Sequence, residues 1–291
     1  MGQRVVVRRL VRGETGPSGG PALTDLLGTC LSWSDGACVV QPEDGPPVTI
    51  PLADIVSGKS VPPRPSTRHR VSPQQAQRRA LALWPDLATE PLGDWTLRHS
   101  PTSTARRANS VLAMGPSGVA DAYDQMMAFY AARNSRPIAA VVPDSEEEAL
   151  FRAHGWVEES TDADTLFQIA SVARAQRALA STPGVARQAP VTYDEHDGPS
   201  SIVAVRIGDP ARGVAAYADD WVGLRGIEVD PAHRRQGLGL AVVGALLEWG
   251  AERGATTAYL QVIGDNHPAI AMYERLGFAT HHAYRYLAPQ Q

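Results

Sequence analysis

The chain has 291 residues, a length that suggests roughly two domains. Hydrophobic residues make up 43% and charged residues 20%, close to the globular average, and no apolar run approaches the roughly 18–20 residues of a membrane span. A formal net charge of −4 excludes nucleic-acid binding by bulk charge, and two cysteines exclude a disulfide scaffold or a four-cysteine zinc site.

Met1 to Val11 carries Arg4, Arg8 and Arg9 without the apolar centre of a signal peptide, so a cytoplasmic protein is expected. Charge is uneven. The first 85 residues hold ten basic and six acidic side chains, the remainder 17 and 25. Arg4–Val11, Thr29–Trp33, Ala37–Gln41 and Val48–Ile50 read as short strands. Ser34-Asp35-Gly36 and Glu43-Asp44-Gly45-Pro46 are the turns between them. Strands this short in so brief a span predict a small SH3-like β-barrel over 1–66. Cys30 and Cys38 flank the first turn, and two buried thiols are favoured over a disulfide.

Pro62-Pro63-Arg64-Pro65 reads as a stiff linker. Ser72-Pro73-Gln74-Gln75 then has the residues of a capped helix start, with the helix expected to reach about Trp84, before Pro85. Residues 67–94 are thus linker and helix. Lys59, Arg64, Arg68, Arg70, Arg78 and Arg79 fall in this region with no acid between Ile55 and Pro85. A solvated basic face is preferred there over a clamp for RNA, an acidic partner or a coenzyme phosphate.

From Trp95 strands and helices alternate, the pattern of an α/β layer. Ala120–Asn134 (helix), Pro137–Val142 (strand), Asp144–His154 (helix) and Trp156–Ile169 (strand) are followed about 120 residues later by the same order. The second set is Leu240–Arg253, Thr257–Val262, Asn266–Leu276 and Phe278–Tyr286. Gly155-Trp156 and Gly277-Phe278 fall at equivalent places, which points to a duplication.

The chemistry concentrates in Leu224–Phe278. A strand through Ile227, Glu228 and Val229 ends at Asp230-Pro231. Arg234-Arg235-Gln236-Gly237-Leu238-Gly239 follows, and then an apolar helix. Strand, glycine loop and helix form an anion-binding arrangement, because the first N–H groups of a helix lack internal acceptors and glycine lets backbone approach a phosphate. A dinucleotide fingerprint would need Gly or Ala where Val242 stands. A Walker loop ending at Ser57-Gly58-Lys59-Ser60 would need glycine where Ala53 stands. Both are rejected.

These residues resemble the GNAT superfamily of N-acetyltransferases, whose signature of Arg/Gln-x-x-Gly-x-Gly/Ala is matched by Arg234, Gly237 and Gly239. The resemblance continues through Asn266 and Tyr273-Glu274-Arg275-Leu276-Gly277-Phe278. It covers about 201–287 well. It implies a mixed-sheet α/β (α+β) fold with a degenerate GNAT-like copy at 95–180 and an acetyl-CoA-binding catalytic domain at 185–291. More broadly the order resembles actinobacterial GNAT proteins with an SH3-like N-terminal domain.

The first copy offers Met114-Gly115-Pro116-Ser117-Gly118, with no arginine, at the loop position, so one coenzyme per chain is expected. By the resemblance, the main chain of Ile227, Glu228 and Val229 holds the pantetheine arm of acetyl-CoA. Arg234, Arg235, Gln236, Gly237, Leu238 and Gly239 hold the diphosphate. Asn266 contacts the coenzyme, though it can equally cap a helix before His267-Pro268, and Tyr273 both contacts it and protonates the departing thiolate, a role favoured over that of an aromatic packing its helix on the sheet. Some relatives place a glutamate as base where this chain has Gln261. That leaves Glu228 as the nearest candidate base, with Asp219 and Asp220 as weaker attractors of a cationic amine.

No metal is expected. His281 and His282 are adjacent in a strand and should face opposite ways, and Asp194-Glu195-His196-Asp197 reads as a polar loop. Gly115-Pro116-Ser117-Gly118 is no nucleophile elbow. The expected partners are acetyl-CoA, an amine acceptor and a protein partner for the N-terminal barrel, without nucleic acid or membrane. The alternative is a non-catalytic acyl-CoA-binding regulator.

Overall fold

The structure, a computed structural model, describes residues 3–16, 19–42, 45–60, 67–185, 190–196 and 200–290. The expected turn at Glu43-Asp44, the linker Pro62-Pro63-Arg64-Pro65 and Asp197 lie outside the described residues. The chain divides into two compact units, Met1–Ser66 and Thr67–Gln291.

In the first unit, β-branched and leucine-rich segments pair as an antiparallel sheet. Its strands are β1 (Arg4–Thr15), β2 (Pro21–Ser34), β3 (Ala37–Pro42), β4 (Val48–Pro51) and β5 (Ile55–Ser60), ordered β4-β3-β2-β1-β5. The β2 strand starts earlier than its composition suggested because Ala22 and Leu23 pair with Val11 and Leu10. No pairing among the described residues joins β4 to β5, so the ladder stays open at those edges. The core is Val7, Cys30, Cys38, Val40 and Ile50. Both cysteines are free, and burial together with the neighbouring Cys30 pushes the Cys38 thiol up to about 11.

The second unit opens with α1 (Pro73–Arg79), started by a full capping box. Ser72 Oγ accepts from Gln75 N–H at 3.2 Å, and Ser72 N–H donates to Gln75 Oε1 at 3.1 Å. The α-helix stops short of Trp84 and continues as a 3₁₀ turn over Ala80–Leu83, since Pro85 holds Trp84 out of the helical region, at φ −129° and ψ 86°. The chain proceeds through β6 (Ala88–Leu92), β7 (Trp95–His99), β8 (Val111–Ala113), α2 (Ala122–Ala131), β9 (Ala139–Val141) and α3 (Glu146–Ala153). Then come β10 (Trp156–Glu158), β11 (Thr165–Ser171), α4 (Val172–Ser181), β12 (Val191–His196), β13 (Ser201–Ile207), β14 (Ala211–Ala218) and β15 (Trp221–Val229). Last are α5 (Leu238–Glu252), β16 (Thr257–Ile263), α6 (His267–Arg275) and β17 (Ala279–Pro289).

These strands make one sheet ordered β12-β13-β14-β15-β16-β11-β17-β9-β8-β7-β6, with β10 also on β17. Two pairs are parallel, β8 with β9 and β15 with β16; the other pairings are antiparallel. Two strands lie far from their neighbours in sequence. The β11 strand lies on β16, and β17 lies on β9 and β10. Thr165–Ser171 can occupy a central place because it is buried along nearly its whole length.

Two expectations are corrected. Trp156–Ile169 is two strands, since Trp156 pairs with Pro289 and Thr165 with Tyr284, well apart along β17. The supposed polar loop at Asp194–His196 belongs to β12, an edge strand with every residue exposed, whose sequence therefore lacks apolar alternation. Glu195 anchors it to α5 by accepting from Trp249 Nε1 at 3.0 Å and Arg253 at 2.6 Å.

One sheet face carries α4, α5 and α6 over Val222, Leu224, Ala258 and Leu260. The opposite face carries α1 and its 3₁₀ turn over Phe167, Ile169, Trp221 and Tyr259, while Leu81 packs against Tyr284 and Tyr286. Gly223 is what lets Tyr259 lie flat there. A Cβ at 223 would stand 2.3 Å from the phenol, whose hydroxyl is fixed by donating to Arg79 O at 2.9 Å. Gly223→Ala is expected to cost about 2 kcal/mol by overpacking, lowering the melting temperature by roughly 4–8 °C in a thermal scan. An unchanged transition would show that this ring is not held.

Candidate functional site

The site begins where a ladder stops. Residues of β15 and β16 pair in parallel from Trp221 opposite Thr257 to Leu224 opposite Leu260, and no further. Beyond Leu224 the β15 strand also bulges, with Val214 opposite Arg225 but Arg212 opposite Glu228, and Gly226 takes φ +58°. The two strands thus separate, leaving the main chain of Ile227 to Val229 without a β16 partner. Ile227 and Val229 are half-buried against the α5 core, while Glu228 is on the opposite face.

The strand ends as Asp230 N–H donates to Pro210 O at 2.8 Å, and Pro231–His233 makes a 3₁₀ turn. Arg235 at φ +62° and Gly237 at φ +77° then bend the chain into α5. Left-handed positions beside a helix start gather main-chain N–H groups into an anion-binding concavity. Gly237 is the N-cap and no side chain caps α5, in contrast to Ser72 on α1 and Ser145 on α3. Its first N–H groups are left for a ligand. Arg234 Nε donates to Val229 O at 3.2 Å. No carboxylate among the described residues pairs with Arg234 or Arg235. Gly239 lies where β15, α5 and α6 meet, its missing Cβ 3.7 Å from Val229 and 3.9 Å from Met272.

Asn266 is the N-cap of α6, its Oδ1 accepting from Ala269 N–H at 3.3 Å, so its amide nitrogen remains available. Tyr273 is buried, in edge-to-face contact with Phe278 at 5.8 Å. No protein group among the described residues bonds its hydroxyl, and burial pushes that hydroxyl up to about 12. It stays protonated at neutral pH.

Glu228, the candidate base, is held by Arg212 at 2.9 Å with its side chain 59% exposed. A solvated, ion-paired carboxylate is poorly suited to taking a proton in a dry cleft. Asp220 is also engaged, accepting from Thr256 Oγ1 at 2.8 Å at the start of β15, away from the separated ends. Arg68 donates to Thr257 Oγ1 at 2.8 Å, Arg78 to Asp94 O at 3.0 Å, and Arg79 lies over Trp221 at 4.7 Å, so these basic residues serve the fold.

Gln261 on β16 faces a cluster that the sequence did not reveal. Its Oε1 accepts from the Tyr284 hydroxyl, which in turn accepts from Arg107 Nε and Tyr286 Oη, both at 3.3 Å. Arg225 stands on the same face, its guanidinium 4.6 Å over the Trp84 ring, its Nε buried without a hydrogen-bond partner, and its pKa pulled down by burial. His281 and His282 do meet, Nδ1 to Nδ1 at 2.8 Å, because the register shift opposite Phe167 and Gln168 bulges β17 at His281. Burial and His281 pull His282 down to about 3, keeping it neutral. No group of three metal-ligating side chains occurs among the described residues.

Comparison with known proteins agrees with this architecture. Residues 75–287 match the family described as "Probable histone acetyltransferase Rv0428c C-terminal". The "Probable histone acetyltransferase Rv0428c" of Mycobacterium tuberculosis is 27% identical over 321 residues, covering 100% of this chain and 96% of that protein. The "Uncharacterized N-acetyltransferase YobR" of Bacillus subtilis is 36% identical over 77 residues, 26% of this chain but only 31% of that protein. A GCN5-related N-acetyltransferase from Kribbella flavida shares the fold, with a TM-score of 0.55 at 17% identity, over 75% of this chain and 95% of that one.

Proposed function

Because the chain belongs to the GNAT-type N-acetyltransferase family defined by the C-terminal domain of Rv0428c, we propose that it transfers an acetyl group from acetyl-CoA to a primary amine by direct attack on the thioester. The run from β15 to α5 carries this reading: a ladder that stops at Leu224, followed by a helix whose N-terminus no side chain caps, beside two arginines with no carboxylate partner among the described residues. When bound, acetyl-CoA supplies an activated acetyl group.

The residues present fit it. Arg234, Arg235, Gln236, Gly237, Leu238 and Gly239 would hold the diphosphate through N–H groups and charge. The open main chain of Ile227, Glu228 and Val229 would hold the pantetheine arm, and an N–H there would polarise the thioester carbonyl. Asn266 would contact the coenzyme through its free amide nitrogen. Tyr273 would give its proton to the leaving sulfur. Gln261 and Tyr284, in place of the exposed Glu228, would orient a water that takes the amine proton.

The earlier half supports one coenzyme per chain. Its loop is occupied by the β6–β7 turn, with Ser117 O accepting from Asp94 N–H at 2.8 Å and Gly115 O from Trp95 Nε1 at 2.8 Å, and Asp121 stands at the N-cap of α2, where it would repel a phosphate. For the first unit we propose an SH3-like, partner-binding module, supported by its five-strand antiparallel order and the 3₁₀ turn Leu52–Asp54 before β5. Its two free thiols accord with a cytoplasmic location, and no described helix is long and apolar enough to cross a membrane.

Thiol release from acetyl-CoA against a panel of amines and peptides tests the reading, with turnover above the hydrolysis background for at least one acceptor expected. The uncharged Gln261 favours a second reading, a non-catalytic acyl-CoA-binding regulator. That reading predicts coenzyme binding with no acceptor-dependent thiol release.

A further inference from the structure

Arg225 is the last β15 residue before the bulge, and Gln261 follows the last β16 residue paired with β15. They flank the separation on one sheet face, the face opposite α5. Ile227, whose main chain is assigned to the thioester, is two residues beyond Arg225. A side chain at 225 therefore borders the space an incoming amine must enter.

That space is bordered by a buried positive charge. The Arg225 Nε is buried and bonded to nothing, and no carboxylate among the described residues pairs with its guanidinium. Its flat face is covered by Trp84, which leaves the N–H edge as its means of recognition. Arg107, which reaches the same cluster through Tyr284, and the buried Arg98, which donates to Ser110 O at 2.9 Å, have no carboxylate partner either. Of the acids at this end of the sheet, Glu228 is taken by Arg212, Asp164 by Arg285, and Glu159 and Asp162 by Arg106, while Asp230 and Asp265, just past β15 and β16, are exposed to solvent.

A cationic acceptor such as a polyamine or a lysine side chain would enter this space against unneutralised arginine. A carboxylate would find a guanidinium edge with nothing on it, two parallel N–H donors in one plane. The same field favours the neutral form of a nearby amine, the form that attacks.

We propose that the acceptor is a free amino acid, an amine with a carboxylate on the adjacent carbon, and that Arg225 reads the carboxylate. This rests on the acetyl-transfer reading above and narrows its acceptor class. Arg225 is a specificity residue here: it orients the acceptor and transfers no proton.

The test is calorimetric and needs no turnover. N-acetylated amino acids and their carboxamides are titrated singly into the full chain saturated with CoA. At least one acid should bind ten-fold or more tightly than its amide. Arg225→Gln should weaken the acid at least ten-fold while leaving the amide and CoA unchanged, and Arg225→Lys should restore part of the loss. A purely structural bond to Trp84 would move acid and amide together. Equal affinity of every acid and its amide, or an equal loss of both in Arg225→Gln, overturns the proposal, and the wild-type comparison decides it should the variant not fold. Acid preference without thiol release for any acceptor would instead count against acetyl transfer.

Discussion

Tyr273→Phe is expected to lower kcat by about 100-fold, the lower range for loss of a positioned proton donor, with little change in coenzyme affinity. The fold should not notice. The ring keeps its edge-to-face contact with Phe278, and the lost hydroxyl has no protein partner among the described residues. Burial raises this group from the usual 10 to about 12, so it stays protonated as pH rises through the range in which an amine becomes neutral. Wild-type rates should climb with pH and show no loss from this residue below pH 10. The same shift makes the stability of the buried phenol whole below pH 10 and lost as pH rises through about 12, an alkaline loss that Phe removes. Steady-state kinetics and thermal scans across pH read both. Full turnover in the variant would end the assignment of Tyr273 as the acid.

Gly239→Asp should separate coenzyme binding from folding. A Cβ at 239 meets only ordinary contacts, and an acid in the first turn of a helix is favourable by about 0.3–1 kcal/mol, so the melting temperature should hold or rise. A carboxylate there would face a diphosphate. Repulsion of roughly 3 kcal/mol, intermediate between bulk water and a shielded site at contact range, weakens CoA about 100-fold. Gly239→Ala, which adds no charge, should bind within a few-fold of wild type. Calorimetry with CoA decides. Undiminished binding in Gly239→Asp would place the diphosphate elsewhere.

What could be read from the sequence was what is local. Gly237, Gly239 and Arg234 announce a helix start built for an anion because their spacing is itself the turn, and the Ser72–Gln75 capping box is equally self-contained. Pairing between distant strands left no such trace. The place of Thr165–Ser171 between β16 and β17 depends on register with segments roughly 100 residues away, and the bulge that brings His281 onto His282 exists only in that register. Arg107, Gln261 and Tyr284 come from three separate segments, none with a motif, so their meeting could be seen only in the fold. Val191–His196 escaped notice as a strand because both its faces are wet.

The placement of β11 and β17 bears on how this molecule could have evolved. A half without an anion loop of its own would ordinarily be free to erode and disappear. Here it donates the strand that borders β16 and receives, in return, the one that follows α6. Deleting it would strip the working half of a neighbour at its centre and expose a raw sheet edge beside Gln261. Residues 95–180 are held in place by this mutual lending of strands, and a mutation among them is expected to disturb the sheet beside Gln261 from a distance.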